Sequence, residues 1–224
     1  MFYKYRAIIF DFDDTLVGSK SGIVFHQKVA KSKGWKVPPK EELEKYWGLG
    51  WEDFIAKFWP DIPFVDFRQA YIDYNQKEPR HYDQIPGVNK AIKELKKEDI
   101  ILGILSNRNV KSVRDILEQQ GFSLDDFEII QGEEEFFFHK PDPRAFDQIL
   151  TILGERGILP REIIYVGDTR FDIAASRGCK IKFVGVLSGL MKREEFKNLG
   201  VLDQDIIQSV KDLPRWLKKY GQVI

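Results

Sequence analysis

The segment IIFDFDDTLV, residues 8–17, places three carboxylates directly after a run of apolar residues. Asp11, Asp13 and Asp14 would repel one another, and burial destabilises an ionised carboxylate unless a cation or hydrogen-bond donors accompany it. The same side chains can act as nucleophiles, as proton donors and acceptors, and as oxygen ligands of a hard cation. The segment therefore indicates either a reactive site or a strand end whose acids only cap the next turn.

Polar residues with compatible chemistry follow other apolar runs of the chain. Ser106 and Asn107 come directly after the run IILGIL. Asp168 and Asp172 lie in the segment GDTRFD, which follows the run IIYV. Lys140 precedes a Pro-Asp-Pro sequence in the segment FHKPDPRAF. Acids, a hydroxyl group, an amide and a lysine thus recur at places where strands are expected to end.

The elements that must position these residues can be predicted from the apolar pattern. Short apolar runs with little alternation predict strands at 7–10, 100–105, 127–130, 163–166 and 181–186. Strands that are covered by helices on both faces have this composition, and helical spacing of apolar residues separates most of the runs. We therefore predict an α/β fold with a doubly wound parallel sheet. In such sheets the active site lies at the carboxyl ends of the strands.

Residues 17–84 interrupt this pattern. They contain no convincing strand and are rich in aromatic and charged residues. One helical stripe in this span consists of Phe67, Ala70, Tyr71 and Tyr74. We predict a helical cap at 17–84, inserted after the first strand, and an α/β catalytic core formed by residues 1–16 and 85–224.

Taken together, these segments resemble the motifs of the haloacid dehalogenase superfamily, a large group of mostly Mg²⁺-dependent phosphohydrolases. The segments DFDDT, LSN, KPDP and GDTRFD occur in the family's order and on the expected elements. The insertion has the position of the family's small helical cap, and the chain looks most like the phosphoglycolate-phosphatase-like members. Asp14 departs from the pattern, because the family commonly has glycine there, and we assign it a turn or capping role.

The resemblance implies a role for each polar residue of the core. Asp11 would attack phosphorus and form an aspartyl-phosphate, and Asp13 would protonate the leaving alkoxide and then activate water. That role favours a raised pKa of Asp13, which a dry site crowded with carboxylates would provide. Lys140 would neutralise phosphoryl oxygens and hold Asp11 ionised. Ser106 would bind phosphoryl oxygens.

The resemblance also implies a metal site. Mg²⁺ would bridge Asp11 and Asp168, with the backbone carbonyl of Asp13 as a further ligand. Oxygen ligands without a cluster of histidines or cysteines favour Mg²⁺ over Zn²⁺. Asp172 would orient Lys140 or a metal-bound water, or would serve only as the N-cap of the following helix. Without the metal, some of these acids should bind protons instead.

The segment WGLGW, residues 47–51, resembles the glycine-containing cap loop that reaches the substrate in this family. We expect Gly48 and Trp51 to bind the substrate, with the glycine supplying a tight turn. The alternative is that both tryptophans of the segment pack in the core of the cap. Asn107 would contact either the substrate or only its own turn.

We therefore predict a Mg²⁺-dependent phosphatase that hydrolyses a small phosphomonoester through a phosphorylated Asp11. The core motifs do not distinguish this activity from that of a phosphosugar mutase of the β-phosphoglucomutase type. A non-catalytic binding protein on the same fold is a further alternative. The histidines and the phenylalanine run at 136–138 are predicted to be packing or surface residues.

Composition narrows the choice of partner and location. Lys plus Arg and Asp plus Glu each number 35, so the net charge is zero and gives no support for a nucleic-acid or membrane partner. The N-terminus does not have the pattern of a signal peptide, and Cys179 is the single cysteine, which excludes an intrachain disulfide. We expect a cytoplasmic protein, a monomer or homodimer, that acts on a small phosphorylated metabolite.

Overall fold

The computed structural model describes residues 4–133 and 138–221. The strands in these residues are β1 (Ala7–Phe10), β2 (Val17–Gly18), β3 (Asp83–Gln84), β4 (Ile101–Leu105), β5 (Ile129–Gln131), β6 (Ile163–Gly167), β7 (Lys182–Val186) and β8 (Ile206–Ile207). Six of them form one sheet in the order β5-β4-β1-β6-β7-β8, in which every neighbouring pair is parallel. The predicted doubly wound α/β fold is confirmed.

Helices cover both faces of this sheet. The α-helices of the described residues are α1 (Ser21–Ser32), α2 (Lys40–Glu44), α3 (Trp51–Phe58), α4 (Phe64–Lys77), α5 (Val88–Leu95), α6 (Val110–Gln119), α7 (Asp147–Glu155), α8 (Arg170–Gly178), α9 (Arg193–Asn198) and α10 (Leu213–Tyr220). Of these, α5 to α10 pack against the sheet. Within the described residues, none of them combines the length and the apolar content that crossing a bilayer requires.

The central strand shows why the predicted strands lack alternation. Ile8 and Phe10 of β1 pack in one apolar cluster with α5 and α10, whereas Ala7 and Ile9 pack in a second cluster with α7 and α8. Successive side chains of a strand point to opposite faces, so a strand buried on both faces needs apolar residues throughout. Each fully buried aliphatic side chain of this kind contributes about 1.5–3 kcal/mol to stability.

The strand order also fixes where a ligand can bind. The chain proceeds from β1 outward through β4 to β5, and later continues through β6, β7 and β8 on the other side of β1. Connections that leave a central strand in opposite directions open a crevice at the carboxyl ends of the strands. We call this side of the sheet the carboxyl edge.

Helices α1 to α4, residues 21–77, form what we call the helical insertion. Its core is aromatic, and its buried rings include Phe25, Phe54, Trp59 and Phe67. Its connection to the sheet differs from the prediction, because β2 and β3 pair antiparallel with Val17 opposite Gln84 and Gly18 opposite Asp83. Strands of two residues are too short to show periodicity in a sequence. The exact domain boundaries stay a prediction.

Candidate active site

The predicted core residues meet at the carboxyl edge of the sheet. Strands β1, β4 and β6 end directly before Asp11, Ser106 and Asp168 respectively. Lys140 reaches the same place from the segment between β5 and α7, and Asp172 reaches it from the first turn of α8. All five side chains are buried. Parallel strands therefore bring together residues that are far apart in the chain.

Lys140 is the centre of the hydrogen-bond network at this edge. Its ammonium group donates to Asp11 Oδ1 at 2.5 Å, to Asp172 Oδ1 at 2.7 Å and to the Tyr165 hydroxyl at 2.8 Å. Burial opposes the positive charge, but the carboxylates of Asp11 and Asp172 outweigh it and raise the pKa of Lys140. The lysine is therefore charged at neutral pH.

Tyr165 is a member of this network that sequence reasoning missed, because the run IIYV was treated as uniformly apolar. The Tyr165 hydroxyl lies 2.9 Å from Asp172 Oδ1, and burial followed by the charge of Asp172 raises its pKa well above the usual range. A buried hydroxyl needs a hydrogen-bond partner, so a tyrosine in an otherwise aliphatic strand was the available signal.

Asp11, Asp168 and Asp172 form a buried acid cluster whose carboxylate oxygens lie within 4.8 Å of one another. Burial raises the pKa of Asp11 to about 7 although Lys140 opposes the shift. Burial, followed by the charge of Asp11, raises the pKa of Asp168 well above its usual range. These shifts agree with the prediction that the acids bind protons unless a cation neutralises them.

This set of donors fits a hard divalent cation. The cluster consists of carboxylates, and within the described part of the chain no histidine or cysteine joins it. Asp172 is less available as a ligand, because Lys140 donates to its Oδ1 and the Thr169 backbone N–H donates to its Oδ2 at 2.9 Å. Asp11 and Asp168 are therefore the residues best placed to hold a divalent cation.

The position of Asp172 corrects one alternative. The N-cap of α8 is Thr169, whose side chain accepts from the Asp172 backbone N–H, and Asp172 itself is the third residue of that capping box. Asp172 is therefore not the N-cap. Its contact with Lys140 matches the role expected for it, which stays a prediction for the reaction.

Two glycines lie directly against the carboxylates of this cluster. A Cβ atom at Gly167 would lie 2.6 Å from Asp172 Cγ, and a Cβ atom at Gly189 would lie 1.9 Å from Asp168 Oδ2. No side chain fits at such distances, so both backbones pass directly beside a carboxylate. Gly189 belongs to the segment after β7, which sequence reasoning left outside the site.

Asp13 departs from the prediction of a raised pKa. Its Oδ1 accepts from Arg108 Nη2 at 2.6 Å and its Oδ2 accepts from Arg108 Nε at 2.9 Å. Burial opposes ionisation, but the guanidinium outweighs it and lowers the pKa of Asp13. The prediction was wrong because it considered only the neighbouring acids and left out the arginine of the segment SNR.

Asp14 holds the turn that follows the first strand. Its φ is 59°, a left-handed conformation that aspartate tolerates better than most residues other than glycine. Its Oδ1 accepts from the Ser19 backbone N–H at 2.7 Å. Burial raises the pKa of Asp14 to about 6. This conformation explains how aspartate can stand where the resemblance led us to expect glycine.

Ser106 and Asn107 hold loops together at the carboxyl edge. Ser106 Oγ accepts from the Arg108 backbone N–H at 3.1 Å. Asn107 Oδ1 accepts from the Lys140 backbone N–H at 2.9 Å, and its Nδ2 donates to the backbone carbonyls of Lys140 and Gly48 at 2.9 and 3.1 Å. Asn107 therefore links the segment that carries Lys140 to the helical insertion. Contact of either side chain with a substrate stays a prediction.

The two predicted cap residues lie across from the acids. Gly48 has φ 98°, and a Cβ atom there would lie 3.0 Å from Thr169 Cγ2, so this loop touches the core. Trp51 donates from Nε1 to His26 Nε2 at 3.1 Å and packs edge-on against Tyr71. Both Gly48 and Trp51 line the cavity described next, so packing within the insertion and exposure to a ligand are compatible for Trp51.

A cavity of about 1040 Å³ lies between the carboxyl edge and the helical insertion. Its lining includes Asp11, Asp13, Ser106, Arg108 and Asp168 from the core and Trp47, Gly48, Trp51, Tyr71 and Arg80 from the segment between β2 and β3.

Of the three histidines, for which packing or surface positions were predicted, His26 is buried. Phe136 and Phe137, for which packing was predicted, lie outside the described residues.

Comparison with known proteins gives a consistent set of relatives. The sequence profile of the haloacid dehalogenase-like hydrolases matches residues 8–186. A phosphoglycolate phosphatase of Aquifex aeolicus is 31% identical over 195 residues, which cover 84% of this chain and 87% of the relative. The pyrophosphatase PpaX of Listeria innocua is 27% identical over 190 residues, which cover 82% and 83% of the two chains.

Solved structures share the architecture. A haloacid dehalogenase-like family hydrolase of Streptococcus pneumoniae superposes with a TM-score of 0.74 at 21% identity, and the match covers 96% of this chain and 99% of the other. At this identity the likeness supports the fold alone. The fold and the sequence matches thus point to the same group of proteins.

Proposed function

The chain belongs to the haloacid dehalogenase-like hydrolase family and is a phosphatase of that family, and we propose that it hydrolyses a small phosphomonoester through a phosphorylated Asp11. One observation carries the proposal. The Lys140 ammonium lies 2.5 Å from Asp11 Oδ1, and Asp11 lines the cavity together with Asp13 and Asp168. A cation beside a carboxylate at the end of a cavity suits attack on a dianionic phosphoryl group.

The first step forms a bond between Asp11 and phosphorus and breaks the bond from phosphorus to the leaving oxygen. Lys140 favours the ionised form of Asp11 for the attack and offsets the charge of the phosphoryl oxygens. Asp172 and the Tyr165 hydroxyl hold the lysine ammonium in place at 2.7 and 2.8 Å. Asp13, after it leaves Arg108 and takes up a proton from solvent, gives that proton to the leaving alkoxide.

The second step transfers the phosphoryl group from Asp11 to water. Asp13, now ionised, takes a proton from the water as it attacks phosphorus, and the bond between phosphorus and Asp11 breaks. Asp11 and Asp168 would hold Mg²⁺, which supplies positive charge against the phosphoryl oxygens and the clustered acids. The helical insertion covers the cavity and limits access of bulk water to the acyl-phosphate.

The test is an isosteric substitution of the proposed nucleophile. We expect Asp11→Asn to abolish phosphate release from p-nitrophenyl phosphate in the presence of Mg²⁺, because an amide cannot form the acyl-phosphate. Wild-type protein quenched in acid during turnover should carry one added phosphoryl group on the peptide that contains Asp11, as detected by mass spectrometry. A panel of phosphorylated metabolites that includes phosphoglycolate and pyrophosphate would then identify the substrate.

The matched control is Asp125→Asn, an identical change at an exposed acid outside the cavity. It should retain wild-type phosphate release. Activity of Asp11→Asn equal to that of this control would overturn the proposed role of Asp11. Thermal melts of both variants show whether any loss of activity reflects unfolding.

A further inference from the structure

The ion pair between Arg108 and Asp13 has a consequence for substrate choice. The guanidinium occupies both carboxylate oxygens of Asp13, at 2.6 and 2.9 Å. A carboxylate held in this bidentate way has its oxygens directed at the guanidinium. The proposed function requires one of those oxygens to reach the leaving oxygen of the substrate, so Asp13 must first leave Arg108.

The pair is placed so that a ligand can reach it. The side chains of Arg108 and Asp13 are 17% and 21% exposed, and both line the cavity. Arg108 also donates from Nη1 to the Tyr82 hydroxyl at 3.1 Å and lies 3.4 Å from Ser112 Oγ. These neutral partners would keep the guanidinium in position while its anionic partner changes.

A second arginine lies beside this ion pair. Arg80 lies against the ring of Tyr82, with its guanidinium carbon 4.6 Å from the ring centroid, and Arg108 lies 5.4 Å from the same centroid. Among the described residues, Arg80 donates to neutral oxygens, the Tyr71 hydroxyl and the Ser19 carbonyl.

The local backbone makes room for this second guanidinium. A Cβ atom at Gly22 would lie 2.3 Å from Arg80 Nη2 and 2.6 Å from Trp47 Cη2, so a side chain there would displace the guanidinium from this position. Two guanidinium groups therefore lie against the ring of Tyr82, and one of them, that of Arg108, binds the carboxylate of Asp13. An oxyanion that replaces Asp13 on Arg108 would therefore also lie in the field of the Arg80 guanidinium.

We propose that Arg108 is a specificity residue for substrates whose leaving part carries an oxyanion, either a carboxylate or a second phosphate. When this oxyanion binds the guanidinium in place of Asp13, Asp13 is released. The inference rests on the proposed function of the same site. The exchange replaces one ion pair by another and makes or breaks no covalent bond. Since release of Asp13 precedes proton transfer, the preference for such substrates is expressed in kcat as well as in KM.

The first test compares two substrates that differ only at the relevant group. Phosphoglycolate carries a carboxylate where 2-hydroxyethyl phosphate carries an uncharged hydroxymethyl group. We expect the kcat of the wild-type enzyme with Mg²⁺ to be roughly tenfold or more higher for phosphoglycolate, as is reasonable for a charge-assisted contact. Equal kcat values for the two esters would overturn the inference, as would a preference confined to KM.

The second test supplies the oxyanion separately. Sodium acetate should raise the kcat for 2-hydroxyethyl phosphate and leave that for phosphoglycolate unchanged or lower, with sodium chloride at equal ionic strength as the salt control. A merely structural role of Arg108 would not produce activation by acetate. Absence of activation across the soluble range of acetate would count against the inference, and this measurement needs no variant that folds.

Variants connect both effects to the guanidinium. Arg108→Gln should bring the kcat ratio of the two esters close to one and remove the acetate effect, whereas Arg108→Lys should keep part of both because a single charge remains. The matched control is Arg114→Gln, which removes an exposed guanidinium from α6 outside the cavity and should preserve the wild-type ratio. A wild-type ratio in Arg108→Gln would overturn the inference.

Failure of this inference can be distinguished from failure of the proposed function. Phosphate release from p-nitrophenyl phosphate by the same wild-type preparation reports the phosphatase activity, whose leaving group carries no oxyanion to exchange with Asp13. Release without any preference between the two matched esters overturns only the role of Arg108. Absence of release from every ester overturns the proposed function itself.

Discussion

The carboxyl edge of the sheet and the helical insertion face each other across one cavity, and they bury polar groups in different ways. The edge buries Asp11, Lys140, Asp168 and Asp172. In the described residues of the insertion, by contrast, the buried side chains are apolar except that of His26. One region therefore depends on balanced charge, and the other depends on aromatic packing.

His26 shows how the insertion avoids a buried charge. Its Nδ1 lies 2.6 Å from the Gly22 carbonyl, and its Nε2 accepts from Trp51, so both ring nitrogens are satisfied in the neutral form. Burial lowers the pKa of His26 to about 3. The insertion shows that this chain can bury a titratable group in its neutral form. The buried charges of the edge are energetically unfavourable, so they are explained by chemistry at the site and not by the needs of folding.

The largest expected effect tests whether the edge depends on the buried cation of Lys140. Lys140→Met should lower phosphate release by roughly a hundredfold to a thousandfold, because the charge that opposes the phosphoryl oxygens is lost. It should also cost about 3–5 kcal/mol of stability, since Asp11 and Asp172 lose their buried partner. Steady-state kinetics and urea unfolding measure the two effects.

The control for this substitution is Lys182→Met, which removes a lysine that pairs with Asp205 away from the cavity. Stability should fall in this variant, whereas phosphate release should stay near the wild-type value. If both variants lost activity in proportion to their stability, the special role assigned to Lys140 would be untenable.

The sequence predicted the edge well because its geometry follows from the strands. The predicted runs at 7–10 and 163–166 correspond to β1 and β6, which lie side by side in parallel. Once neighbouring strands are parallel, residues that follow them must share an edge. Asp11 and Asp168 could therefore be placed together without any structure.

Contacts that cross between distant segments could not be predicted in this way. Arg108 and Asp13 are 95 residues apart, and no periodic pattern specifies that one guanidinium will bind that carboxylate. The same holds for Tyr165 and Gly189, whose importance depends on where a partner lies in space. The ribbon of β2 and β3 and the strand β8 escaped notice because each strand has two residues.

The next effect is the opposite response of the two regions to pH. Asp11 and Asp14, with pKa values of about 7 and 6, and Asp168, with a pKa raised well above its usual range, bind protons more tightly when folded than when unfolded. Their contribution to stability is complete below the unfolded pKa of about 4 and is lost as pH rises through the folded values. His26 has the opposite sign, because its contribution is lost as pH falls below about 6.5.

The extra protons that the three acids bind in the folded state outnumber the one that His26 fails to bind. With EDTA present, the free energy of unfolding should therefore fall between pH 4.5 and pH 6.5, by about 1.4 kcal/mol per pH unit for each proton that the folded state binds in excess of the unfolded state. Mg²⁺ should restore stability, and more so at higher pH, because it binds the ionised carboxylates. Urea unfolding at several pH values measures both effects. Asp168→Asn should flatten the slope and weaken the response to Mg²⁺, and a stability that rises over this range in EDTA would contradict the assignment.

The smallest expected effect tests how the two regions are joined. Gly48→Ala would place a Cβ atom 3.0 Å from Thr169 Cγ2 at a φ of 98°, and the carbonyl of Gly48 accepts from Asn107. We expect a loss of about 1–2 kcal/mol of stability from the backbone strain. Displacement of the loop from the core should also lower kcat/KM by roughly tenfold, because the insertion then closes the cavity less well.

Gly34→Ala separates backbone strain from contact with the core. Gly34 has φ 71° in the same insertion, but a Cβ atom there would meet nothing within 4 Å. It should therefore lose a similar amount of stability in a thermal melt and retain the wild-type kcat/KM. Equal losses of kcat/KM in the two variants would mean that the insertion affects turnover through its own stability. A loss confined to Gly48→Ala would instead locate the effect where the loop of Gly48 contacts Asn107 and Thr169.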